Sequence, residues 1–168
     1  MSLTIRPETA ADYPAIREVN RRAFDQEDEA RLVDALRDGG YARVSLIAEL
    51  DGRIVGHIRF SSLPIDTSRG VIEALALAPL AVIPEHQRQG IGSLLVAEGL
   101  TVCREASHGV VIVLGHPEFY TRFGFSSELA GRLVSPYSGE AFMALELVPG
   151  VLDGIRGAVR YPPPFEAF

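Results

Sequence analysis

The sequence predicts one α/β domain built on a mixed sheet of six or seven strands, with helices on both faces. Three observations lead to this prediction. An apolar run at Leu75–Ile83 is followed by a polar turn and then by apolar residues at helical spacing. A continuous β-branched run at 110–114 indicates a buried strand. Two apolar runs around Asp51-Gly52 indicate a β-hairpin.

Length and composition exclude several classes of protein. The 168 residues suit a single domain spanning 1–168, and 47% of them are hydrophobic. A net charge of −6 argues against nucleic acid as the main partner. The single cysteine, Cys103, excludes an internal disulfide and a cysteine-based zinc site, and the four histidines are too scattered to predict a metal site. With no apolar run of about 18 residues and no leader-like N-terminus, we expect a cytoplasmic protein without a membrane partner.

The elements before the central strand follow from simple patterns. Thr9 is a candidate cap for the first helix, and Gly39-Gly40 ends the second. The acidic run at 25–29 has two interpretations: a solvated helix start, or a rim that attracts a cationic amine. The predicted elements are a strand at Leu3–Arg6, helices from Ala10 and at Gln26–Arg37, strands at Val44–Leu50 and Arg53–Phe60, and a polar loop at Ser61–Gly70.

The central strand is predicted at Val71–Ile83 and contains Pro79. Because proline has no backbone N–H, it cannot take part in an unbroken hydrogen-bond ladder. We therefore expect a bulge or kink near Pro79 to Ala81, which would leave nearby N–H groups free.

The rest of the chain alternates helices and strands. Gly115-His116-Pro117 ends the strand at 110–114, and Gly124 ends the short helix that follows. The predicted elements are a helix from Gly90 to near Ser107, strand Val110–Leu114, helix Glu118–Phe123, and strands Phe142–Val148 and Ile155–Tyr161.

The turn between the central strand and the long helix is suited to binding an anion. Gly90 and Gly92 open the helix, whose free N–H groups carry a partial positive charge. Glycine lets a phosphate approach the backbone closely, Arg88 adds a donor, and Gln87 can brace the turn. The pattern is neither a Walker loop, which needs Gly-Lys-Ser/Thr, nor a dinucleotide fingerprint, which needs a third glycine.

In its context this turn resembles the coenzyme A pyrophosphate motif of the GNAT superfamily of N-acetyltransferases. A second GNAT signature, F-Y-x-x-x-G-F, is matched by Phe119, Tyr120, Gly124 and Phe125, about 30 residues further on. The two motifs lie in the expected order, and the resemblance covers nearly the whole chain. It is strongest to the YhbS-type branch.

The resemblance implies a GNAT-type, mostly antiparallel sheet in which Val71–Ile83 and Val110–Leu114 are parallel and splay apart around the pantetheine arm. It implies an acetyl-CoA-dependent N-acetyltransferase, with acetyl-CoA as co-substrate and no metal. The backbone of the bulge is expected to bind the acetyl and pantetheine groups, and the turn to bind the pyrophosphate. The implied cofactor-binding residues are Leu80, Ala81, Val82, Gln87, Arg88, Gln89, Gly90, Ile91, Gly92 and Ser93.

Tyr120 matches the general acid of the family, since a phenol with a pKa near 10 can protonate or hydrogen-bond a thiolate. The base is open. Glu73 is the only acid on the central strand, and His116 ends the next one. His57 is a further candidate, because imidazole accepts a proton near neutral pH. A water chain without a dedicated base is also compatible with the sequence.

Two other functions fit the same patterns. One is a non-catalytic acyl-CoA-binding sensor with the same fold, and the other is an unrelated phosphate-binding α/β domain. The expected acceptor is a primary amine on a small molecule or a protein, and its identity cannot be read from the sequence. The apolar C-terminal strands would complete the sheet or pair with a second copy in a homodimer.

Overall fold

Backbone pairing joins the strands into one mixed sheet in the computed structural model, which describes residues 2–167. The strands within these residues are β1 (Leu3–Pro7), β2 (Ala42–Leu50), β3 (Arg53–Thr67), β4 (Gly70–Val82), β5 (Val110–Leu114), β6 (Leu133–Val134), β7 (Phe142–Glu146) and β8 (Gly157–Val159). The helices are α1 (Tyr13–Phe24), α2 (Asp28–Asp38), α3 (Ile91–Glu105) and α4 (Pro117–Tyr120).

The strand order is β1-β2-β3-β4-β5-β7, with β8 paired to β3 and β6 paired to β8. Pairing is antiparallel except between β4 and β5 and between the short β6 and β8. The predicted mostly antiparallel sheet with a central parallel pair is therefore confirmed. The eight strands exceed the predicted six or seven because β6, of two residues, is too short to show a pattern, whereas β8 lies within the strand predicted at Ile155–Tyr161.

The polar loop predicted at Ser61–Gly70 is wrong. β3 continues through this segment to Thr67 and pairs with β4 as far as Gly70. Leu63 and Ile65 are completely buried, and so is Ser61. The polar residues between the apolar ones alternate as a half-buried strand requires, and this alternation was hidden by their serine, proline and aspartate content.

Helices cover both faces of the sheet. Neighbouring residues of β2 show this, because successive side chains of a strand point to opposite faces. Leu46 belongs to the core beneath α3, whereas Ile47 packs with Ile16 of α1 and Val33 of α2. The C-terminal segment covers the remaining apolar part of β3, β4, β5 and β7. No helix in residues 2–167 combines the length and apolar character that a membrane crossing requires.

Helix α3 lies close to the sheet at Gly99. A Cβ atom at this position would lie 2.6 Å from Cε2 of Phe60. The Phe60 ring is completely buried and cannot move aside without disturbing the core. A glycine inside a helix normally costs about 1 kcal/mol relative to alanine, so close packing against Phe60 is the reason for this residue.

We expect Gly99→Ala to lower the free energy of unfolding by about 1–2 kcal/mol, because overpacking outweighs the gain in helix propensity. Urea denaturation measures the change. The control is Gly131→Ala, since a Cβ atom at Gly131 has no neighbour within 4 Å. A more stable Gly99→Ala variant would contradict the packing argument.

Candidate active site

A cleft opens in the sheet where β4 and β5 stop pairing. Their parallel ladder contains three register pairs and ends at Leu77 and Val113. Beyond this point β4 continues to Val82, paired only with β3 on its other edge. The 78–82 backbone therefore presents to the cleft those N–H and C=O groups that point away from β3.

The predicted bulge lies beside this cleft. Leu77 pairs with Phe60 and Leu80 with Ile58, so Ala78 and Pro79 together oppose the single residue Arg59. The bulge is confirmed, beginning one residue before the predicted position. Pro79 has no N–H to donate, which is a local reason for the irregular ladder.

Apolar side chains lie on both faces of the sheet at the opening. Leu114, at the end of β5, is 48% exposed although it lies in a strand. Ala78, Leu80 and Val82 of β4 are half-buried. The predicted site residue Ala81 is buried and faces the opposite side of the sheet. The groove is therefore suited to an extended ligand with an apolar chain.

The predicted anion-binding turn lies at the end of β4. Gln87 braces it as expected, because its side-chain Nε2 donates a 2.8 Å hydrogen bond to the carbonyl of Val82. Gln89 donates a longer 3.4 Å bond to the carbonyl of Glu85. Arg88 and Gly90 have φ angles of 62° and 86°, which turn the backbone into the start of α3 at Ile91.

A Cβ atom would fit at Gly92 in ordinary van der Waals contact with its neighbours. The nearest atoms to a Cβ built there are Leu80 Cδ2 at 3.9 Å, Phe119 Cζ at 4.0 Å and Val82 Cγ2 at 4.0 Å. Packing within the protein therefore does not require a glycine at this position. A ligand that passes over the first turn of α3 would require one, so the residues of the turn fit a bound phosphate.

Tyr120, at the end of α4, is only 8% exposed. Its ring makes edge-on contacts with Phe119 and Phe125, at centroid distances of 4.9 and 5.7 Å. Burial raises the pKa of its phenol to about 12. Gly115 makes room for the ring, because a Cβ atom there would lie 2.4 Å from Tyr120 Cε2. The phenol is therefore held in its neutral form beside the end of β5.

Two of the three candidate bases, His116 and Glu73, lie at different ends of the sheet's central strands. His116 follows the end of β5 and occupies the N-cap position of α4, where its side chain is exposed. Glu73 is exposed near the other end of β4, opposite Pro64. It precedes Ala78 by five residues, or roughly 16 Å at about 3.3 Å per residue. The fold brings His116 to the same end of β5 as Tyr120 and leaves Glu73 far from it.

His57, the third candidate base, is completely buried with both ring nitrogens engaged. Nδ1 lies 3.1 Å from Asn20 Nδ2, which also donates to the Ile16 carbonyl. Nδ1 is therefore the acceptor, and Nε2–H donates to Ser45 Oγ at 3.0 Å. Burial lowers the pKa of His57. This histidine is a neutral structural group between α1 and the sheet.

An ion pair between buried Arg59 and partly buried Glu8 continues the same network. Ser45 donates to the Glu8 carboxylate, which also accepts a 3.0 Å bond from Arg59 Nη2. Arg59 is 1% exposed, and its Nη1 donates to the Val33 carbonyl of α2. The Glu8–Arg59 pair was not predicted, although the period of two in β3 places His57 and Arg59 on one face of the sheet.

Arg122 is a second residue that the sequence analysis did not single out. It follows α4, and its Nη2 donates a 2.6 Å hydrogen bond to Ser93 in the first turn of α3. Its position inside the second motif, between Tyr120 and Gly124, could have marked it as a candidate site residue. Like Arg88, it is one of sixteen arginines, and the chain contains no lysine.

Comparison with known proteins identifies the family. The model of the acetyltransferase (GNAT) domain matches residues 4–127. The chain belongs to the GNAT family. It is 36% identical to the uncharacterized N-acetyltransferase YhbS of Escherichia coli strain K12, over 99% of this chain and 100% of YhbS.

Two solved GNAT structures resemble this one closely. The complex of Escherichia coli YhbS with CoA has a TM-score of 0.90 and 35% identity, covering 99% of this chain and 93% of that one. A Brucella melitensis GNAT acetyltransferase in complex with acetyl-CoA has a TM-score of 0.82 and 33% identity, covering 98% of both chains. Within residues 2–167 of the present GNAT domain, no group of three or more metal-ligating side chains is found.

The buried His57 should make the free energy of unfolding depend on pH. The lowered pKa of His57 means that the folded state excludes a proton which the unfolded chain binds near pH 6.5. The contribution of the neutral His57 to the free energy of unfolding is therefore fully present above this pH and is lost as the pH falls below it. Between pH 7.5 and 5.5 the free energy of unfolding should fall by up to about 1 kcal/mol more in the wild type than in His57→Gln.

Urea denaturation at the two pH values measures this difference, and comparing slopes removes any general destabilisation by the substitution. The control is His86→Gln, which changes a partly exposed histidine outside this network and should keep the wild-type slope. Equal slopes for the wild type and His57→Gln would contradict the assignment of a neutral buried His57.

Proposed function

We propose that this chain transfers the acetyl group of acetyl-CoA to a primary amine by direct attack of the amine on the thioester. The observation that carries the proposal is the β4 backbone, released from β5 at Leu77 and leading directly to the open N-terminus of α3. The CoA and acetyl-CoA complexes of the two similar GNAT proteins support it.

The cleft offers each part of the co-substrate a matching surface. The amide groups of the pantetheine arm would pair with the free backbone groups of 78–82, much as a neighbouring strand does. Leu80, Val82 and Leu114 would contact its apolar carbons. The backbone of Arg88 to Ser93 would hold the diphosphate at the positive end of α3.

Tyr120 would act on the leaving sulfur. The amine nitrogen forms a bond to the carbonyl carbon, the carbon–sulfur bond breaks, and the thiolate takes a proton. With a pKa of about 12, the phenol remains protonated at neutral pH. It is a weaker acid than a thiol of pKa about 8.5, so it donates a hydrogen bond to the sulfur, and any proton it gives is replaced from the attacking nitrogen.

The amine must lose one proton before attack, because an alkylammonium ion has a pKa near 10.4. His116 is the best placed of the three candidate bases, since it lies at the end of β5 with an exposed imidazole. Glu73, at the far end of β4, has no part in the proposal. The acceptor is assigned only as a primary amine on a small molecule or a protein.

The co-substrate is tested by thermal shift with acetyl-CoA, CoA and ATP side by side. A ligand that binds only the folded state, at 100 times its dissociation constant, adds about 2.7 kcal/mol of stability. A shift with acetyl-CoA and CoA but not with ATP is the expected result. No shift with acetyl-CoA would contradict the proposal.

Tyr120→Phe should bind acetyl-CoA normally and transfer the acetyl group about 10²-fold more slowly, because it removes the donor to the sulfur and keeps the buried ring. The measurements are the dissociation constant of acetyl-CoA and the rate of thiol release with a panel of amines. Tyr41→Phe, outside the cleft, is the control. A wild type that binds acetyl-CoA but acetylates no amine would favour the sensor hypothesis.

A further inference from the structure

The first turn of α3 has a cationic partner on the opposite side of the groove. Ser93 is the third residue of α3, and its hydroxyl accepts the 2.6 Å hydrogen bond from Arg122 Nη2. Arg122 comes from the turn after α4, so the bond joins the two helices. The guanidinium therefore lies beside the backbone groups proposed to bind the diphosphate.

Two aromatic rings hold the guanidinium in place. Its Cζ lies 5.1 Å from the centre of the Phe119 ring and 5.5 Å from that of Phe123. The Phe119 ring also lies close to the first turn of α3, with its Cζ 4.0 Å from a Cβ built at Gly92. Arg122 is thus positioned beside the first turn of α3, and its contacts with the two rings and Ser93 already restrict part of its side-chain freedom before a ligand binds.

The charge of Arg122 is not neutralised within the protein. No ion pair among residues 2–167 includes it, and its partner Ser93 is a neutral hydroxyl. Hydrogen bonds from a guanidinium to an anionic oxygen are about twice as strong as neutral ones. A diphosphate at the start of α3 would therefore replace Ser93 as the preferred partner.

We propose that Arg122 binds the diphosphate of acetyl-CoA from the α4 side, opposite the N-terminus of α3, and exchanges its bond to Ser93 for this anion. The inference rests on the proposed function, because it assigns a further residue to the same co-substrate site. It makes Arg122 a determinant of affinity for the nucleotide part of the co-substrate.

Three ligands test this assignment: CoA, dephospho-CoA, which lacks only the 3′-phosphate, and pantetheine, which lacks all phosphates. Arg122→Gln should lower the affinity for CoA and the affinity for dephospho-CoA by the same factor, about tenfold or more, because one charge-assisted hydrogen bond is lost. Pantetheine binding should not change. Titration calorimetry measures the first two ligands, and NMR line broadening measures pantetheine.

Two further variants sharpen the comparison. Arg122→Lys keeps the charge but loses the planar fork, so its affinity for CoA should lie between those of the wild type and Arg122→Gln. Arg69→Gln removes an exposed arginine at the β3–β4 turn, at the far end of β4, and should bind all three ligands like the wild type.

Four results would count against the assignment or its basis. Unchanged CoA affinity in Arg122→Gln would overturn it. A loss for CoA alone would place Arg122 on the 3′-phosphate and overturn the diphosphate assignment. A matching loss for pantetheine would show that Arg122 only supports the packing of α4. A wild type that binds none of the three ligands would instead contradict the proposed function.

Discussion

The end of backbone pairing between β4 and β5 is the constraint on which the site depends. Three register pairs hold the parallel strands together, and beyond Leu77 the β4 backbone loses its partner on one edge. An unpaired backbone group that is removed from water costs about 1–3 kcal/mol, so such an edge is unfavourable unless something else pairs with it. The Ala78–Pro79 bulge and the predicted anion-binding turn both adjoin this edge, which is why one extended ligand is proposed to bind along it.

The opposite face of the sheet provides rigidity. His57, Arg59 and Glu8 tie β3 to α1, α2 and the chain after β1 by hydrogen bonds buried under the two helices. Arg59 stands opposite the bulge, and its buried guanidinium would be left without an anionic partner if Glu8 were removed. The irregular part of β4 is therefore supported from behind by a strand that has little freedom to move.

Strong local patterns were readable from sequence. The strand, turn and helix around Gly90 and the parallel strand at Val110–Leu114 follow from hydrophobic spacing, and both agree with the structure. The second half of β3 was missed because serine, proline and aspartate occupy positions that only pairing with β4 makes extended. The roles of His57 and Arg122 depend on Asn20 and Ser93, which are 37 and 29 residues away along the chain. No local sequence pattern predicts hydrogen-bond partners that lie so far away along the chain.

The exclusive use of arginine has a chemical consequence for a protein that holds a thioester. A lysine amine near the acetyl group would itself be an acceptor, whereas a guanidinium with a pKa above 12 stays protonated and is not a nucleophile. Arg88 and Arg122, the arginines proposed to contact the diphosphate, would therefore not be acylated, and none of the 168 residues is a lysine. Any Nε-acetyl-lysine formed in a reaction mixture must therefore belong to an added acceptor, so a protein substrate can be recognised without background from the enzyme.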